Sequence, residues 1–342
     1  MPTQTTSIRG VAVTGAAGFI GAHMVRAVRA RGVPVLPLVR QRDADGPTEA
    51  RAVAEAIHDP KLLRGIDVIV HAAAVRHRYG VGPGEYRASN VDLVERTMRA
   101  SSAAGVRRFV LVSSVGVYGF PADLPITESH RFAPRTLYAT TKVDAETLAR
   151  RVAGELGIEL VIARPTIVYG PGDRNGMLDK MAAMIRSGTY RVVGSGRNVL
   201  HHTHIDDLVA GLWLALAAPS ARGEDFIFAG PETTTLAELS ARVARAVGRP
   251  LPLWHVPLPL ARAAATITLA AAHRRIAFGD REPPISHEKL DVMTVSVAFD
   301  PAKARRILGF APAVGYEEGV RSAIAAAPRP AAFEASRRGY GA

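Results

Sequence analysis

The sequence predicts an α/β protein with a doubly wound parallel sheet and a smaller, partly inserted C-terminal lobe. Short apolar runs alternate with segments of helical periodicity over residues 8–165, and a glycine-rich turn joins the first run to the first helix. Alternation of this kind favours a parallel sheet, because each helix carries the chain back across one face of the sheet. The length of 342 residues fits two lobes or one enlarged domain.

The predicted elements alternate strictly in the first half of the chain and less regularly afterwards. Strands are predicted at 8–15, 33–40, 66–74, 106–114 and 158–165. Helices are predicted at 19–32, 90–105, 134–157, near 206–217 and at 234–248. The third of these helices has a proline near its start and a glycine at its end, as is typical of helix termini.

The composition excludes several functional classes. The chain has no cysteine, which rules out disulfides, thiol catalysis and cysteine-ligated metal sites. The formal net charge is +12, but the arginines are spread along the whole chain, so we expect no nucleic-acid partner. The longest uncharged apolar run, 263–272, is about half as long as a bilayer span requires. Residues 1–10 do not read as a signal peptide, and we expect a cytoplasmic protein without an integral membrane segment.

The stretch TGAAGFIG places Gly15, Gly18 and Gly21 where the first strand passes into the first helix. In a Rossmann dinucleotide-binding fold, such glycines permit a tight turn, close approach of a pyrophosphate and close packing of helix on strand. The phosphates then lie at the positive amino end of the helix, beside Phe19 and Ile20. We therefore predict a dinucleotide cofactor, with a purely structural turn as the alternative.

The regular alternation of strands and helices ends after Pro165, and this change divides the chain into two predicted lobes. Residues 1–165 and about 204–229 are assigned to the dinucleotide-binding domain. Residues 166–203 and 230–326 are assigned to the substrate-binding lobe, and 327–342 to a disordered tail.

The end of the second predicted strand favours NADP over NAD. An NAD site usually places a carboxylate there, whereas this chain offers Arg40 and Arg42 and no acid before Asp43. A guanidinium binds a 2′-phosphate through a bidentate fork. Arg40 is the leading contact and Arg42 its support, and NAD remains the alternative. The alternative for either arginine is a solvated charge in a loop.

Tyr138 and Lys142 lie one helical turn apart on one face of the predicted long helix. A free phenol titrates near 10, and lowering this pKa to about 7 takes roughly 4 kcal/mol. One ammonium at about 4 Å, with an effective dielectric near 20, supplies energy of that order. We therefore predict that Lys142 lowers the pKa of Tyr138 and makes it a proton carrier.

Together with two serines at the end of a predicted strand, these features give the chain a strong family resemblance. It resembles the extended short-chain dehydrogenases/reductases, the NAD(P)-dependent epimerase/dehydratase superfamily, over about residues 8–325. The matching motifs are TGAAGFIG, DVIVHAAA, NVDLVERTMRA, LVSSVGVYG, YATTK, ARPTIVYGPGD, HIDDLVAG and FDPAKARRILGF. The C-terminal stretch is most similar to 3β-hydroxysteroid and sterol-carboxylate dehydrogenases.

The resemblance implies a role for each matched residue. Ser114 would hold the substrate oxygen, Tyr138 would be the acid/base, and Lys142 would also hydrogen-bond the nicotinamide ribose. The positions expected to line or support the cofactor site are Ala72, Ala73, Ala74, Asn90, Pro165 and Thr166. Ser113 is expected to be structural, and a helix cap is the alternative for Asn90.

Departures from the family pattern narrow the range of substrates and reactions that we expect. Thr166 and Leu200 replace the Asn and Arg that many nucleotide-sugar members carry, which weakens the case for a nucleotide-sugar substrate. Val115 and Gly116 replace the Asp-Glu pair of dehydratases, which disfavours sugar dehydration. The acidic residue that often contacts adenine is replaced by Ala56.

The histidine-rich stretch HHTH, residues 201–204, does not predict a metal site. His201 and His202 would point to opposite faces of an extended chain and could not chelate one ion together. The family resemblance makes His204 and Asp207 structural, and His71 is expected to be a packed histidine.

These observations predict an oxidoreductase that interconverts a secondary alcohol and a ketone, acting on an apolar or polycyclic, steroid-like substrate. One alternative is an NAD-dependent sugar 4-epimerase that uses the same residues. Another is a non-catalytic NADP-binding regulator. By family analogy we expect a homodimer formed through the helices near 90–104 and 135–155.

Overall fold

The computed structural model describes residues 8–41, 49–76, 80–174, 176–251, 255–273 and 285–326. Its strands are β1 (Val11–Thr14), β2 (Val35–Val39), β3 (Arg51–Ala52), β4 (Val68–His71), β5 (Arg108–Val112), β6 (Glu159–Pro165), β7 (Ile167–Tyr169), β8 (Val199–Leu200), β9 (His202–His204), β10 (Asp225–Phe228) and β11 (Thr234–Thr235). Its helices are α1 (Phe19–Ala30), α2 (Val53–His58), α3 (Pro83–Arg87), α4 (Leu93–Ala103), α5 (Leu137–Leu156), α6 (Met177–Arg186), α7 (Ile205–Ala217), α8 (Leu236–Val247), α9 (Leu258–His273), α10 (His287–Thr294), α11 (Ala302–Leu308) and α12 (Tyr316–Ala325).

Seven of these strands form one sheet in the order β10-β6-β5-β4-β1-β2-β3. All of its neighbouring strands run parallel, which confirms the predicted doubly wound fold. The strand order reverses direction between β1 and β4, where Thr14 pairs with His71. A doubly wound sheet binds its ligand in the crevice at the carboxyl ends of the strands at this switch point.

Two apolar cores cover the two faces of the sheet. Side chains alternate along a strand, so Val11 and Val13 of β1 face the core that includes α1 and α7. Ala12, between them, faces the opposite core, which includes α4 and α5. Because β1, β4 and β5 are buried on both faces, residues 11–13, 68–70 and 109–112 are continuous apolar runs rather than alternating ones.

The structure corrects the predicted elements at several places. The long helix α5 begins at Leu137, not at residue 134, because the Thr136 hydroxyl accepts a hydrogen bond from the Ala139 amide at 3.0 Å and caps it there. The two-residue strand β3 and the edge strand β10 were not predicted. β10 lies 60 residues beyond β6 in the chain but pairs directly with it, from Asp225 with Ile162 to Phe228 with Pro165.

The remaining elements build a second layer around a core of their own. Helices α6, α8 and α12 share this core, with Tyr169 and Tyr190 among its buried residues. The pair β7–β9 runs parallel and the pair β8–β11 antiparallel. The predicted tail, 327–342, lies outside the described residues. Within the described ranges, no helix combines the length and apolarity needed to cross a membrane.

Candidate active site

The glycine turn between β1 and α1 leaves no room for a side chain at Gly15 or at Gly21. Gly15 has φ +67°, and a Cβ there would lie 2.8 Å from the Ala73 amide nitrogen. A Cβ on Gly21 would lie 2.1 Å from the Gly15 carbonyl oxygen. Both distances are shorter than real Cβ contacts, so glycine is required at each position. The turn is therefore tight for the reasons predicted from its spacing.

Helix α1 begins directly after this turn, and the backbone amides of its first turn are available to bind a ligand. Gly18 precedes the helix, and no side chain caps its amino end. The first-turn amides of Phe19, Ile20 and Gly21 have no carbonyl partner within the helix, and the helix dipole makes this end positive. This cradle of amides and glycines fits a dinucleotide pyrophosphate.

Two neighbouring strand ends border the same turn. Ala72, Ala73 and Ala74 follow β4, and the Ala73 amide donates to the Thr14 hydroxyl at 3.2 Å. Arg40 follows β2 and is exposed. Arg42, the predicted second phosphate contact, lies outside the described residues. A contact between either arginine and a cofactor phosphate therefore stays a prediction.

Ser114 and Tyr138 meet at the carboxyl end of β5. Ser114 begins a short helical turn, Val115–Tyr118, and its hydroxyl accepts from the Gly116 amide at 3.1 Å. Tyr138 lies in the first turn of α5, and its side chain hydrogen-bonds that of Ser114. The structure thus brings together the two hydroxyls that the sequence assigned to the substrate oxygen.

Lys142 lies beneath Tyr138 and is only 3% exposed. Its ammonium donates to the carbonyl of Val112, the last residue of β5, at 2.9 Å. The Nζ atom is 5.8 Å from the centroid of the Tyr138 ring. Burial lowers the pKa of Lys142 to about 8, partly opposed by the charge of Glu146.

The pKa of Tyr138 shifts in the direction opposite to the one predicted. Burial raises it to about 12, because the phenolate would lose its hydration. The groups that oppose this rise are the Arg76 guanidinium and the Ser114 hydrogen bond. The prediction that Lys142 lowers this pKa is therefore wrong for the protein's own residues. The cation that does so, Arg76, was not singled out from the sequence.

Asn90 links α5 to the segment after β4 and does not cap a helix. It lies in a π-helical turn, Ala88–Asp92, between α3 and α4. Its carboxamide oxygen accepts from the Val75 amide at 2.7 Å, and its nitrogen donates to the Val75 carbonyl at 3.0 Å. The same nitrogen donates to the Thr141 hydroxyl at 3.0 Å. Because Thr141 donates to the Tyr138 carbonyl at 2.8 Å, Asn90 ties the catalytic helix to the segment after β4.

Other predicted site residues point into the protein. The Thr166 hydroxyl is buried and shares a 2.7 Å hydrogen bond with the Thr203 hydroxyl, and Pro165 is a buried residue at the end of β6. The Ser113 hydroxyl donates to Glu146 at 2.5 Å. The structural role expected for Ser113 is confirmed, and the side chain of Thr166 packs away from solvent.

His201 and His204 have hydrogen-bond partners, whereas His71 stacks on Phe109 and neither of its ring nitrogens has a hydrogen-bond partner among the described residues. His201 hydrogen-bonds the Gly230 carbonyl at 3.0 Å through one ring nitrogen. His204 caps α7 by accepting from the Asp206 amide at 3.3 Å. Asp207 accepts from the amides of residues 313 and 314 at 2.9 and 3.1 Å, which ties this loop to α7. His71 is fully buried, and burial lowers its pKa to about 3.

Arg76, whose charge acts on Tyr138, also approaches Asp173, and neither residue was assigned a role from the sequence. An Arg76 nitrogen lies 3.9 Å from a carboxylate oxygen of Asp173. Burial raises the pKa of Asp173 to about 6, partly opposed by Arg76. The only available signal was that Arg76 follows the AAA stretch and that Asp173 ends the YGPGD motif.

Comparison with known proteins agrees on the family, while the relatives and the solved structures differ in substrate. The profile of the NAD dependent epimerase/dehydratase family matches residues 11–229. A 3 beta-hydroxysteroid dehydrogenase/Delta 5-->4-isomerase of Mycobacterium tuberculosis is 30% identical over 338 residues, covering 90% of this chain and 87% of that protein. A 4-hydroxy-2-methyl-3-oxo-4-farnesyl-3,4-dihydroquinoline-1-oxide ketoreductase of Stigmatella aurantiaca is 28% identical, covering 92% of this chain and 96% of that protein. Among solved structures, MoeE5 in complex with UDP-glucuronic acid and NAD is 26% identical with a TM-score of 0.71, covering 96% and 99%.

Proposed function

Because the chain belongs to the NAD dependent epimerase/dehydratase family, we propose that it interconverts a secondary alcohol and a ketone by hydride transfer. The observation that carries this proposal is the pairing of the Tyr138 and Ser114 side chains at the carboxyl end of β5, close to the strands that border the glycine turn. A proton donor and a second hydroxyl at this edge suit a carbonyl oxygen that gains negative charge.

The raised pKa of Tyr138 suits its role as proton donor when the interconversion runs towards the alcohol. With a pKa of about 12, the phenol keeps its proton at neutral pH and can donate it to the developing alkoxide. Ser114 would hold the same oxygen in line. The hydride would come from the dinucleotide when it is bound between Gly15 and Gly21.

Lys142 would fix the geometry of this pair. With a pKa of about 8 it is largely protonated at neutral pH, and it holds the Val112 carbonyl two residues before Ser114. The family resemblance adds a hydrogen bond from Lys142 to the nicotinamide ribose.

An apolar or polycyclic ketone is the substrate we propose. The relatives from Mycobacterium tuberculosis and Stigmatella aurantiaca are named for steroid and quinoline compounds. MoeE5, solved with UDP-glucuronic acid, keeps a sugar 4-epimerase as the second candidate. Leu200, at the position where nucleotide-sugar members carry Arg, is 2% exposed within the core of the second layer and offers no charge to a diphosphate. A non-catalytic NADP-binding regulator is the third candidate.

A substrate panel tests the reaction. The purified protein is incubated with NADPH and ketosteroids, polycyclic aromatic ketones and nucleotide sugars. We expect oxidation of NADPH with at least one ketone and none with the sugars. Epimerisation of a nucleotide sugar without net use of NADPH would favour the epimerase instead. If no compound turned over, the oxidoreductase proposal would fail.

We also propose NADP as the preferred cofactor, since Arg40 is exposed at the end of β2. We expect kcat/KM for NADPH to exceed that for NADH. Replacing Arg40 with alanine should lower this ratio about tenfold or more, because a charge-assisted hydrogen bond contributes about 1.5–3 kcal/mol. Arg31→Ala is the matched control, since that side chain stacks on Trp213 at 4.6 Å. A wild-type ratio below one would refute the assignment.

The homodimer and the cytoplasmic location remain proposals drawn from the family resemblance and from the sequence. Sedimentation at several protein concentrations would establish the oligomeric state.

A further inference from the structure

The segment after β4 and the loop after β7 carry a charged pair whose contact is too long for a hydrogen bond. Arg76 lies in the segment after β4, and Asp173 lies in the loop that follows β7. The closest nitrogen and oxygen are 3.9 Å apart. The Arg76 charge acts on Tyr138 as well as on Asp173, so Arg76 connects Asp173 electrostatically with the surroundings of the reacting hydroxyl.

The backbone that carries Arg76 is held rigidly although its side chain is not buried. Asn90 makes two hydrogen bonds to Val75, and the Tyr86 hydroxyl donates to the Arg76 carbonyl at 3.0 Å. The Arg76 side chain itself is 63% exposed. A guanidinium on an ordered backbone loses less freedom when it binds a ligand than one on a loose loop.

The Asp173 carboxylate is buried, but one of its oxygens lacks a hydrogen-bond donor among the described residues. Its side chain is 9% exposed, and its Oδ1 atom has no hydrogen-bond partner in the part of the chain that the structure describes. Its other oxygen lies so close to Gly176 that a Cβ there would be 1.8 Å away. Burying a carboxylate oxygen without a donor is costly, and such groups call for a functional explanation.

A hydroxyl group of the substrate would satisfy both members of this pair. A hydroxyl is at once a donor and an acceptor, so it can donate to Asp173 Oδ1 and accept from Arg76. A carboxylate would bring a second negative charge against Asp173, and a bare methylene would leave the buried oxygen without a partner. With a pKa of about 6, Asp173 is ionised at neutral pH and is an acceptor there.

Building on the proposed ketone reduction, we propose that Arg76 and Asp173 form a subsite that selects ketones carrying a hydroxyl group near the reacting carbonyl. Asp173 is the specificity-determining residue, because only its oxygen is both buried and unpartnered. The substrate class is therefore a hydroxy-ketone with an otherwise apolar skeleton.

The test compares matched ketones that differ only in this hydroxyl, such as hydroxylated and deoxy ketosteroids. For the wild type we expect kcat/KM to be at least tenfold higher for the hydroxylated ketone. Asp173→Asn should reduce this preference about tenfold or more, since a hydrogen bond to a charged group contributes about 1.5–3 kcal/mol. The matched control is Asp291→Asn, which removes a carboxylate paired with an arginine at 3.1 Å on the protein surface.

Calorimetric binding of the hydroxylated and deoxy alcohols provides a second readout that does not depend on turnover. If the wild type reduced ketones without preferring the hydroxylated one, the subsite would be refuted and the proposed function would stand. If no ketone were reduced, the function would fail, and the binding difference would still decide on the subsite. If Asp173→Asn weakened NADPH binding and lowered kcat/KM by the same factor for the hydroxylated and the deoxy ketone, the pair would be a cofactor contact. The inference would then be overturned.

Discussion

Replacing Tyr138 with phenylalanine is expected to lower kcat/KM for ketone reduction by about 10²–10⁴-fold, the range typical of a lost general acid. The substitution removes one oxygen atom and leaves the ring in the first turn of α5. The phenol is the group that the Ser114 hydroxyl contacts, and its pKa of about 12 keeps it protonated throughout the neutral range. Steady-state kinetics with the best ketone of the panel measures the loss.

Cofactor affinity separates catalysis from a general loss of structure. NADPH binding, followed by fluorescence, should change little in the variant, because the proposed pyrophosphate contacts are made by the glycine turn between β1 and α1 and not by the Tyr138 hydroxyl. Tyr190→Phe is the matched control: its hydroxyl is hydrogen-bonded to Ser240 at 2.7 Å in the core of the second layer. A Tyr138→Phe enzyme that kept a tenth or more of its activity would show that another group supplies the proton. If the protein were instead a non-catalytic NADP-binding regulator, its regulatory effect would survive the Tyr138→Phe substitution.

The elements that the sequence predicts well are those in which one local pattern decides the structure. The strands at the centre of the sheet are continuous apolar runs, and Gly15 and Gly21 are required by backbone contacts within one βα turn. The apolar runs and the glycine spacing each involve only a few residues that are neighbours in the sequence. The spacing of Tyr138 and Lys142 likewise follows from the geometry of one helix.

What the sequence did not predict depends on contacts between distant segments. The strand β10 pairs with β6 across 60 residues, and no local pattern marks it as a sheet edge. The pKa of Tyr138 rises because the fold desolvates the phenol, a cost that helical spacing cannot reveal. Arg76 and Asp173 meet only because two loops converge at one edge of the sheet.

The second large effect is expected on stability. Arg164 and Glu146 are each 1% exposed at the side chain and form a two-point ion pair, with nitrogen–oxygen distances of 3.0 and 2.6 Å. Arg164→Met should lower the free energy of unfolding by about 3–5 kcal/mol, because Glu146 is left charged and buried without its partner. Urea unfolding followed by circular dichroism measures this change.

A double variant and a surface pair make the cause of this loss testable. Adding Glu146→Leu to Arg164→Met removes the orphaned charge, so the double variant should recover at least half of the lost stability. Asp225, the other acidic partner of Arg164, keeps Lys303 at 3.6 Å and Arg150 at 3.4 Å. As a control, removing Arg151 from its exposed pair with Glu155 should cost no more than about 1 kcal/mol.

The same pair has a consequence for the active site, because Glu146 lies one helical turn beyond Lys142 and also binds Ser113. If the ion pair only stabilised the fold, the double variant would regain both stability and activity. If it also positions the end of β5, the double variant should regain stability while its kcat stays low, since Glu146 no longer holds the strand that leads to Ser114. A double variant less stable than Arg164→Met alone would contradict the orphaned-charge explanation itself.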